Sequence, residues 1–311
     1  MRILVTGGAG FIGRWVVKGL LAGGNEVTAL DDLSNGQLGN IEEFRGNPLF
    51  SFVVGDIKDK GMLAGLFAGG FDLVYHLAAS INVQDSIDDP GTTFANDVVG
   101  TFNLLEECRR HHSKMVFMST CMVYERSLDE RGIDEHHPVK PASPYAASKL
   151  AGEALTLSYY YAYGLPTVVL RPFNTYGPFQ KASGEGGVVA IFINRDLAGQ
   201  NLNIYGDGTQ TRDLLYVEDC ADFVIRAGLD AAAAGQILNA GSGRDVSVNQ
   251  LAAMICRDGE RIQHVVHIHP QSEIQKLLCN YDKAGSLLNW KPRVSLEEGI
   301  ELTRDWLRDA R

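Results

Sequence analysis

Hydrophobic positions along this chain follow two spacings, and the two alternate. Short apolar runs rich in β-branched residues are typical of buried strands, and apolar residues spaced three and four apart are typical of amphipathic helices. The strand-like runs are residues 3–6, 26–30, 50–54, 72–79, 114–118 and 167–171. Helix-like spacing is found at residues 11–20, 63–67, 93–111, 144–163, 188–197 and 221–232. Strands that alternate with helices in this way predict an α/β fold with a doubly wound parallel sheet and right-handed crossovers.

The pattern changes after Pro172, where segments rich in glycine and polar residues interrupt the alternation. We therefore predict a large domain from residues 1–173 and about 215–242. A smaller, discontinuous C-terminal domain is predicted from about 174–214 and 243–311. Ligands tend to bind between two such domains.

A glycine cluster stands between the first predicted strand and the helix that follows it. Its glycines are Gly7, Gly8, Gly10 and Gly13, which fit both Gly-x-Gly-x-x-Gly and Gly-x-x-Gly-x-x-Gly. Such glycines permit a tight turn, a close approach of the backbone to a pyrophosphate, and close packing of helix on strand. The amino terminus of the helix would offer free N–H groups to the phosphates. A dinucleotide site is one interpretation, and a turn that serves packing alone is the other.

Carboxylates after the second and third strands favour the dinucleotide. Asp31 and Asp32 follow the second strand about 20 residues past the glycines, where a carboxylate binds the adenosine ribose. Asp31 would also repel a 2′-phosphate, and no arginine is adjacent, so NAD is favoured over NADP. Asp56 follows the third strand and could meet the adenine amino group, or it could simply cap a loop.

Composition limits the partners. The 311 residues carry a net charge of −10 without a basic run, so neither nucleic acid nor an anionic membrane is an expected partner. Five scattered cysteines without metal-ligand spacing indicate reduced thiols and a cytoplasmic protein. His264, His267 and His269 alternate as on one face of a strand, so no metal site is expected.

The candidate chemistry lies after the fifth strand. Tyr145 and Lys149 are one helical turn apart on one face, and a nearby ammonium favours the phenolate. Thr120 ends the fifth strand, where its hydroxyl could bind the reacting oxygen and relay a proton to Tyr145. The alternatives are an exposed helical pair and a capping threonine.

Taken together, these motifs resemble the extended short-chain dehydrogenase/reductases, and more narrowly the NAD-dependent nucleotide-sugar epimerases and dehydratases. The resemblance rests on the following segments, which span nearly the whole chain: Thr6–Gly13, Asp31–Asp32, His76–Ala79, Ser119–Thr120, Tyr145-x-x-x-Lys149, Arg171–Pro178, Trp290–Pro292 and Leu296–Gly299. It implies a Rossmann domain that binds NAD, a nucleotide-sugar substrate, and a homodimer formed through the helices at about 93–111 and 145–163.

The resemblance also implies roles for single residues. Tyr145 would be the general base, Lys149 would hold the nicotinamide ribose, and Thr120 would assist both. The expected NAD contacts are Gly7, Gly10, Phe11, Ile12, Gly13, Asp31, Asp32, Asp56, Ile57, Leu77, Ala78, Ala79, Asn96, Tyr145, Lys149 and Pro172. The expected substrate contacts are Ser80, Gln84, Thr120, Asn174, Val188, Val189, Asn203, Tyr205, Arg212 and Glu273, among which Arg212 would bind the diphosphate.

Three reactions of the family begin with oxidation at C4 of the sugar and then diverge. A 4,6-dehydratase carries Asp-Glu directly after the threonine to expel the C6 hydroxyl, and here those positions hold Cys121 and Met122. A 5,6-dehydratase and a decarboxylase also need the missing glutamate. A 4-epimerase needs no further acid or base, so we expect a 4-epimerase acting on a UDP- or dTDP-hexose, with a dehydratase as the alternative.

Two points remain open at this stage. The family often carries an Arg-x-Gly-Asp segment for a second diphosphate contact, and this chain has residues 270–273, Pro-Gln-Ser-Glu, instead. Lys276 or Lys181 could compensate. The second alternative is a non-catalytic NAD-binding scaffold, although retention of Thr120, Tyr145 and Lys149 together argues against it.

Overall fold

The computed structural model of the chain describes residues 1–127, 129–182, 187–267, 270 and 273–310. Its strands are β1 Arg2–Thr6, β2 Glu26–Asp31, β3 Phe50–Val54, β4 Leu73–His76, β5 Lys114–Met118, β6 Thr167–Pro172, β7 Asn174–Tyr176, β8 Leu202–Tyr205, β9 Thr211–Tyr216, β10 Ile237–Ala240, β11 Asp245–Ser247, β12 Ile262–Val265 and β13 Lys276–Leu277. Its α-helices are α1 Phe11–Ala22, α2 Lys60–Phe67, α3 Val83–Asp88, α4 Pro90–Phe94, α5 Thr101–His111, α6 Pro144–Tyr163, α7 Val188–Leu197, α8 Val217–Leu229, α9 Val248–Ile255, α10 Asp282–Leu288 and α11 Leu296–Asp309.

Seven strands form one parallel sheet in the order β10-β6-β5-β4-β1-β2-β3. All its strand pairs are parallel, as in the register of Val5 opposite Ala29 and of Val116 opposite Val168. The apolar residues of the first strand are fully buried, because helices cover both faces of the sheet. The predicted doubly wound α/β fold is confirmed.

Each face of this sheet carries its own apolar cluster. On one face, residues of α1, α8 and α10 pack against the strands, and on the other face residues of α2, α5 and α6 do so. All strands run in one direction, so their carboxyl ends lie along one edge of the sheet. Loops at this edge are where ligands bind in open α/β sheets.

A smaller unit is built around β9. Strands β11 and β13 flank β9, β7 also pairs with it, and β12 pairs with β8 in a separate two-stranded ribbon. Apolar residues of α7, α9 and α11 share one cluster with these strands. Because β7 and β9 follow or precede elements of the large sheet, the chain crosses between the two units repeatedly.

Two segments depart from the predicted domain boundaries. Helix α10 and Trp290, predicted in the smaller domain, instead pack in the cluster of the large sheet, where Trp290 Nε1 donates to Asp219 O at 3.1 Å. Tyr216, predicted in the large domain, ends β9 and packs in the cluster of the smaller unit, whereas its neighbour Leu215 packs in the cluster of the large sheet. In both cases the long-range partner decides the packing, and the hydrophobic spacing does not identify that partner.

Helix α6 has the bounds that the sequence predicts. Ser143 Oγ accepts a hydrogen bond from Ala146 N at 3.2 Å, Pro144 occupies the first turn, and Gly164 ends the helix at φ +65°. The helix predicted at 93–111 begins earlier, at Pro90, and its turn Ala95–Gly100 is π-helical. Among the described helices, none combines the length and the apolar character needed to cross a bilayer.

Candidate active site

A cavity opens at the carboxyl edge of the large sheet, between the first glycine turn and the amino end of α6. The described residues that line it are Gly7, Gly10, Phe11, Ile12, Gly13, Leu30, Asp31, Asp32, Ser34, Asn35, Gly36, Gly55, Ile57, Leu77, Ala78, Ala79, Ile81, Asn96, Met118, Ser119, Thr120, Cys121, Met122, Tyr145, Lys149, Pro172, Phe173, Asn174 and Thr175. Every predicted cofactor residue except Asp56 belongs to this set.

The glycine turn forms one wall of the cavity. Gly7 has φ +70°, and a Cβ on it would lie 2.8 Å from Ala78 N, so only glycine fits there. A Cβ on Gly13 would overlap Gly7 O, so this glycine permits the close approach of α1 to the turn. Helix α1 begins after Gly10 with no side-chain cap, which leaves its first N–H groups directed at the cavity.

Asp31 stands at the second strand tip, at the other end of this wall. Its carboxylate accepts hydrogen bonds from Ala9 N at 3.0 Å and Leu33 N at 2.9 Å. Burial raises its pKa, while these two N–H groups oppose the rise. Asp56 does not line the cavity, and its carboxylate instead binds Lys58 N at 2.8 Å and pairs with Lys58 Nζ at 3.0 Å.

Three side chains meet at the opposite end of the cavity. Thr120 and Tyr145 are only 8% and 9% exposed, and Thr120 Oγ1 accepts a hydrogen bond from Met122 N at 3.2 Å. Burial raises the pKa of Tyr145, the nearby Asp97 and Cys121 add to this, and the Thr120 hydroxyl opposes it. Burial lowers the pKa of Lys149, and the Asp97 and Glu153 carboxylates oppose that shift. Thr120, Tyr145 and Lys149 all line this end of the cavity, and the buried phenol needs positive charge nearby to ionise.

Behind the cavity, a buried histidine joins two threonines by hydrogen bonds, and the sequence pattern does not predict this arrangement. His76 at the tip of β4 binds Thr6 Oγ1 through Nδ1 at 2.8 Å and Thr101 Oγ1 through Nε2 at 2.9 Å. Burial lowers the pKa of His76 to about 3, so it stays neutral. Thr6 Oγ1 in turn accepts from Ala78 N at 3.3 Å, which fixes the cavity wall at Ala78. The only signal in the sequence is a histidine at the end of a buried strand.

A buried ion pair attaches α6 to the large sheet. Glu153, one turn after Lys149, accepts from Arg171 Nε at 2.8 Å and Nη2 at 2.5 Å, and from Ser119 Oγ. The Arg171 guanidinium lies 4.6 Å from the centre of the Tyr124 ring, whose hydroxyl donates to Asn239 Oδ1 at 2.9 Å. This network joins β5, α6, β6 and β10 directly beneath Thr120.

Most predicted substrate residues lie outside the lining. Thr120 and Asn174 line the cavity, and the buried Asn174 Oδ1 has no hydrogen-bond partner in the described part of the chain. Ser80 and Gln84 lie beside it, in the loop after β4 and in α3. The smaller unit holds the rest: Val188 and Val189 in the first turn of α7, Asn203 and Tyr205 on β8, and Arg212 on β9 next to Glu273.

Arg212 is held in place by its neighbours. It pairs with Glu273, and its Nη1 donates to Ile274 O at 2.8 Å, while Glu273 also pairs with His267 Nε2 at 2.8 Å. Burial lowers the pKa of Arg212 to about 10, so it remains a cation at neutral pH. The nearby Cys121 thiol, which lines the cavity, opposes this shift, whereas Arg212 itself is not part of the described lining.

The lysines considered as substitutes for the missing arginine have other partners. Lys181 Nζ donates to Asn35 Oδ1 at 2.5 Å, and Lys276 Nζ donates to Glu130 Oε1 at 2.6 Å. His269 and residues 271–272 lie outside the described residues. His264, on β12, binds Asn249 Oδ1 at 3.0 Å, whereas His267 follows the strand, so the predicted run of histidines on one strand is not formed by these two.

A dinucleotide fits this cavity on two counts. The glycine turn brings the uncapped amino end of α1 to the cavity without side chains at Gly7, Gly10 and Gly13, and the Asp31 carboxylate and the Lys149 ammonium stand at the two ends. Residues 3–241 match the model of the family described as "NAD dependent epimerase/dehydratase family". The chain belongs to this family. NAD is its cofactor, as the sequence predicts.

Relatives in this family include both reactions considered for the chain. A UDP-glucose 4-epimerase of Mycolicibacterium smegmatis is 39% identical over 99% of this chain and 99% of its own length. A dTDP-glucose 4,6-dehydratase of an Actinoplanes species is 36% identical over 100% of this chain and 99% of its own length. The crystal structure of Pal from Bacillus thuringiensis is 63% identical, with a TM-score of 0.99 and 100% coverage of both chains. The predicted family is thereby confirmed.

Proposed function

We propose that this protein is a nucleotide-sugar 4-epimerase. The observation that carries the proposal is the composition of the cavity end where Thr120, Tyr145 and Lys149 meet. That end supplies one hydroxyl relay, one phenol and one ammonium, and the described lining contains no carboxylate there. This set is sufficient to move a proton on and off one sugar hydroxyl.

Each residue has a distinct task. Tyr145 takes the proton of the C4 hydroxyl, Thr120 binds the same oxygen, and Lys149 holds the nicotinamide ribose and favours the phenolate. Bound NAD supplies the hydride acceptor and donor. Once the C4 ketone presents its other face, Tyr145 returns the proton, and the configuration at C4 is inverted.

Dehydration would require groups that this end of the cavity does not offer. Burial raises the pKa of Cys121 to about 12, so its thiol neither gives nor takes a proton readily at neutral pH. Met122 has no proton to give. The carboxylates in the described lining are Asp31 and Asp32, which stand at the ribose end. Losing one general acid or base typically slows a reaction by about 10²–10⁴.

The substrate that we propose is a UDP- or dTDP-hexose, since relatives of this chain are named for UDP-glucose and dTDP-glucose. Asn174, with its unpartnered buried oxygen, would bind the diphosphate end from the cavity. Arg212 would add a charge-assisted contact from the smaller unit. We also propose that this unit holds the nucleotide.

We further propose a cytoplasmic homodimer. The five cysteines are buried free thiols, which suits a reducing compartment. Apolar side chains are exposed on both helices expected at the interface, among them Phe94, Val99 and Phe102 on 90–111 and Tyr161 on α6. Exposed apolar groups that recur on neighbouring helices mark a surface for protein contact.

Incubation of the NAD-loaded protein with a panel of UDP- and dTDP-hexoses, followed by ¹H NMR, tests the function. A 4-epimerase interconverts axial and equatorial C4 hydroxyls until the two sugars reach equilibrium. Accumulation of a 4-keto-6-deoxy sugar or an exocyclic alkene would instead identify a dehydratase. No change in any sugar, together with tight NAD binding, would favour a scaffold.

A further inference from the structure

A third charged side chain stands behind the Tyr145–Lys149 pair. Asp97 lies on the π-helical turn Ala95–Gly100 and is 1% exposed. A π-helical turn inside an α-helix is rare and is frequently found at functional sites. Asp97 and Asn96 of this turn hydrogen-bond Ser80 in the loop after β4, whose residues Ala78, Ala79 and Ile81 line the cavity.

The two carboxylate oxygens of Asp97 differ. Oδ1 accepts hydrogen bonds from Ser80 N at 2.7 Å and from Asn96 Nδ2 at 3.4 Å. Oδ2 is buried and has no hydrogen-bond partner in the described part of the chain. Leaving a buried carboxylate oxygen unpaired is unfavourable for folding, so its retention points to a task other than packing.

The charged and titratable groups around Asp97 come from several elements. Asp97 interacts electrostatically with Lys149 and Tyr145 of α6 and with Lys58 of the loop after β3. The Phe117 ring lies 4.7 Å from Lys149 Nζ and 5.7 Å from the His76 ring, and His76 binds Thr101, whose hydroxyl donates to Asp97 O. Lys149 also faces Glu153 on its own helix and the neutral His76 on β4. Lys58 forms an ion pair with Asp56 and is partly exposed, whereas Lys149 is buried. Lys149 is therefore the buried cation that interacts with Asp97.

We propose that Asp97 is a positioning residue that serves as the buried counter-ion of Lys149 and thereby biases the protonation of Lys149 and Tyr145 together. Its Oδ1 holds the cavity wall through Ser80, and its carboxylate places a negative charge in the buried surroundings of the pair. The proposal rests on the proposed function only in so far as Tyr145 and Lys149 are the reacting pair.

The direction of the effect follows from the signs of the charges. Burial lowers the pKa of Lys149, and the Asp97 carboxylate raises it again, which keeps the ammonium charged. The same carboxylate adds to the rise in the pKa of Tyr145. Burial raises the pKa of Asp97 itself, and Lys149 opposes that rise. Removal of the charge should therefore lower both pKa values, that of the phenol and that of the ammonium.

The test is Asp97→Asn, which keeps an acceptor for Ser80 N and removes only the charge. We expect both limbs of the kcat–pH profile of the NAD-loaded enzyme to move to lower pH. At a pH below the acidic midpoint, turnover relative to the plateau should be about tenfold higher in the variant than in the wild type. The reason is that the negative charge of Asp97 beside the titrating Tyr145 is removed. Asp72→Asn at the opposite end of β4 changes net charge equally and should leave both limbs in place.

A second readout does not depend on turnover. Tyrosinate absorbance of the NAD-loaded protein, taken as the difference from its Tyr145→Phe counterpart, reports ionisation of Tyr145 directly. The midpoint pH of this absorbance change should fall in Asp97→Asn even if no sugar is turned over. A failure of the proposed function can therefore be distinguished from a failure of the role proposed for Asp97. Asp97→Ser is a second neutral variant, and thermal melting establishes that each variant is folded.

A purely structural role predicts another pattern. Thr101→Val breaks the bond from Thr101 Oγ1 to Asp97 O, 2.6 Å in the wild type, without changing charge. If Asp97→Asn and Thr101→Val both lower kcat uniformly and leave the limbs and the tyrosinate midpoint unchanged, the proposal is overturned. It is equally overturned if Asp97→Asn behaves as the wild type in both measurements, because Asp97 would then be uncharged in the native protein.

Discussion

At the scale of single residues, Tyr145 is the position on which the proposed chemistry depends. Its hydroxyl is buried beside Thr120, and burial raises its pKa, so the phenolate forms only where positive charge compensates. The cavity provides that charge through Lys149, one helical turn away. A scaffold that merely bound NAD would have no use for the phenol.

Tyr145→Phe separates an enzyme from a scaffold. We expect kcat to fall by about 10²–10⁴, because the proton acceptor is lost, while NAD stays bound. Turnover would be followed by NMR, and retained cofactor by absorbance after gel filtration. Tyr161→Phe, on the same helix but 75% exposed, is the matched control and should leave both unchanged. Unaltered turnover in Tyr145→Phe would remove the phenol from the mechanism.

Cys121 permits a separate test at this scale. Because burial raises the pKa of its thiol to about 12, we expect Cys121→Ala to keep kcat within roughly threefold of wild type. Cys220→Ala, a buried cysteine of α8 that is outside the described cavity lining, controls for the loss of packing. A fall of about a hundredfold in Cys121→Ala alone would mean that the thiol transfers a proton, and the dehydratase alternative would regain support.

At the scale of elements, α6 determines the site, because it carries Tyr145, Lys149 and Glu153 on one face at intervals of one turn. Its contact with the sheet is close at Gly152, where an added Cβ would lie 2.5 Å from Phe117 Cζ. The Lys149 ammonium lies 4.7 Å from the centre of the same Phe117 ring. Any displacement of this ring therefore changes both the helix position and the surroundings of Lys149.

Gly152→Ala should consequently lower stability by about 1–3 kcal/mol, the usual effect of overpacking a core. A shift of about 1 Å in the reacting groups can cost on the order of a hundredfold in rate, so kcat should fall as well. Gly65→Ala in α2, where an added Cβ meets nothing within 4 Å, is the control and should stabilise the protein by about 1 kcal/mol. Urea unfolding and steady-state kinetics measure both effects, and equal behaviour of the two variants would contradict the close contact.

Comparison of the elements with their predictions shows which of them could be predicted from the sequence alone. Helix α6 was predictable to its ends, since Ser143, Pro144 and Gly164 are local signals of helix start and stop. The glycine turn and the strand tips placed the cofactor cavity for the same reason. The π-helical turn at Asp97 was not predictable, because its hydrogen bonds leave the 3.6-residue apolar spacing nearly unchanged.

Contacts between distant segments account for the remaining differences. Nothing in the sequence around Arg212 indicates Glu273, which lies sixty-one positions away in the segment just before β13. Likewise the packing of α10 on the large sheet depends on Trp290 reaching Asp219 O. Such pairs are fixed by tertiary structure, so local periodicity carries no information about them.

At the scale of the whole molecule, the two units meet beside helix α1, which follows the glycine turn of the cavity. The Arg14 guanidinium lies 3.9 Å from the centre of the Phe179 ring, and Phe179 in turn packs 5.0 Å from Trp306 of α11. Trp15 Nε1 donates to Pro178 O at 3.3 Å. Helix α1, whose first residues line the cavity, is thus attached directly to the unit that is proposed to bind the sugar nucleotide.

The proposed homodimer is the remaining feature of this scale, and Phe102 tests it. The side chain is 38% exposed on α5, one of the two helices expected at the interface. A stable interface buries about 800 Å² per partner, and its aromatic residues carry much of the binding free energy. Phe102→Glu would place an unpaired charge in that contact, so we expect the dimer dissociation constant to rise about a hundredfold or more, a loss of roughly 3 kcal/mol.

Leu302→Glu is the matched control, because Leu302 is 42% exposed on α11 of the smaller unit, away from both helices. Sedimentation velocity over a range of concentrations should show monomers only for Phe102→Glu. Since each protomer builds its own cavity from one chain, the monomeric variant should still bind NAD. Its turnover would then show whether α6 needs the partner protomer to hold Tyr145 in place. If Leu302→Glu dissociates while Phe102→Glu does not, the interface lies on the smaller unit, and the exposed aromatic side chains of 90–111 and α6 have another partner.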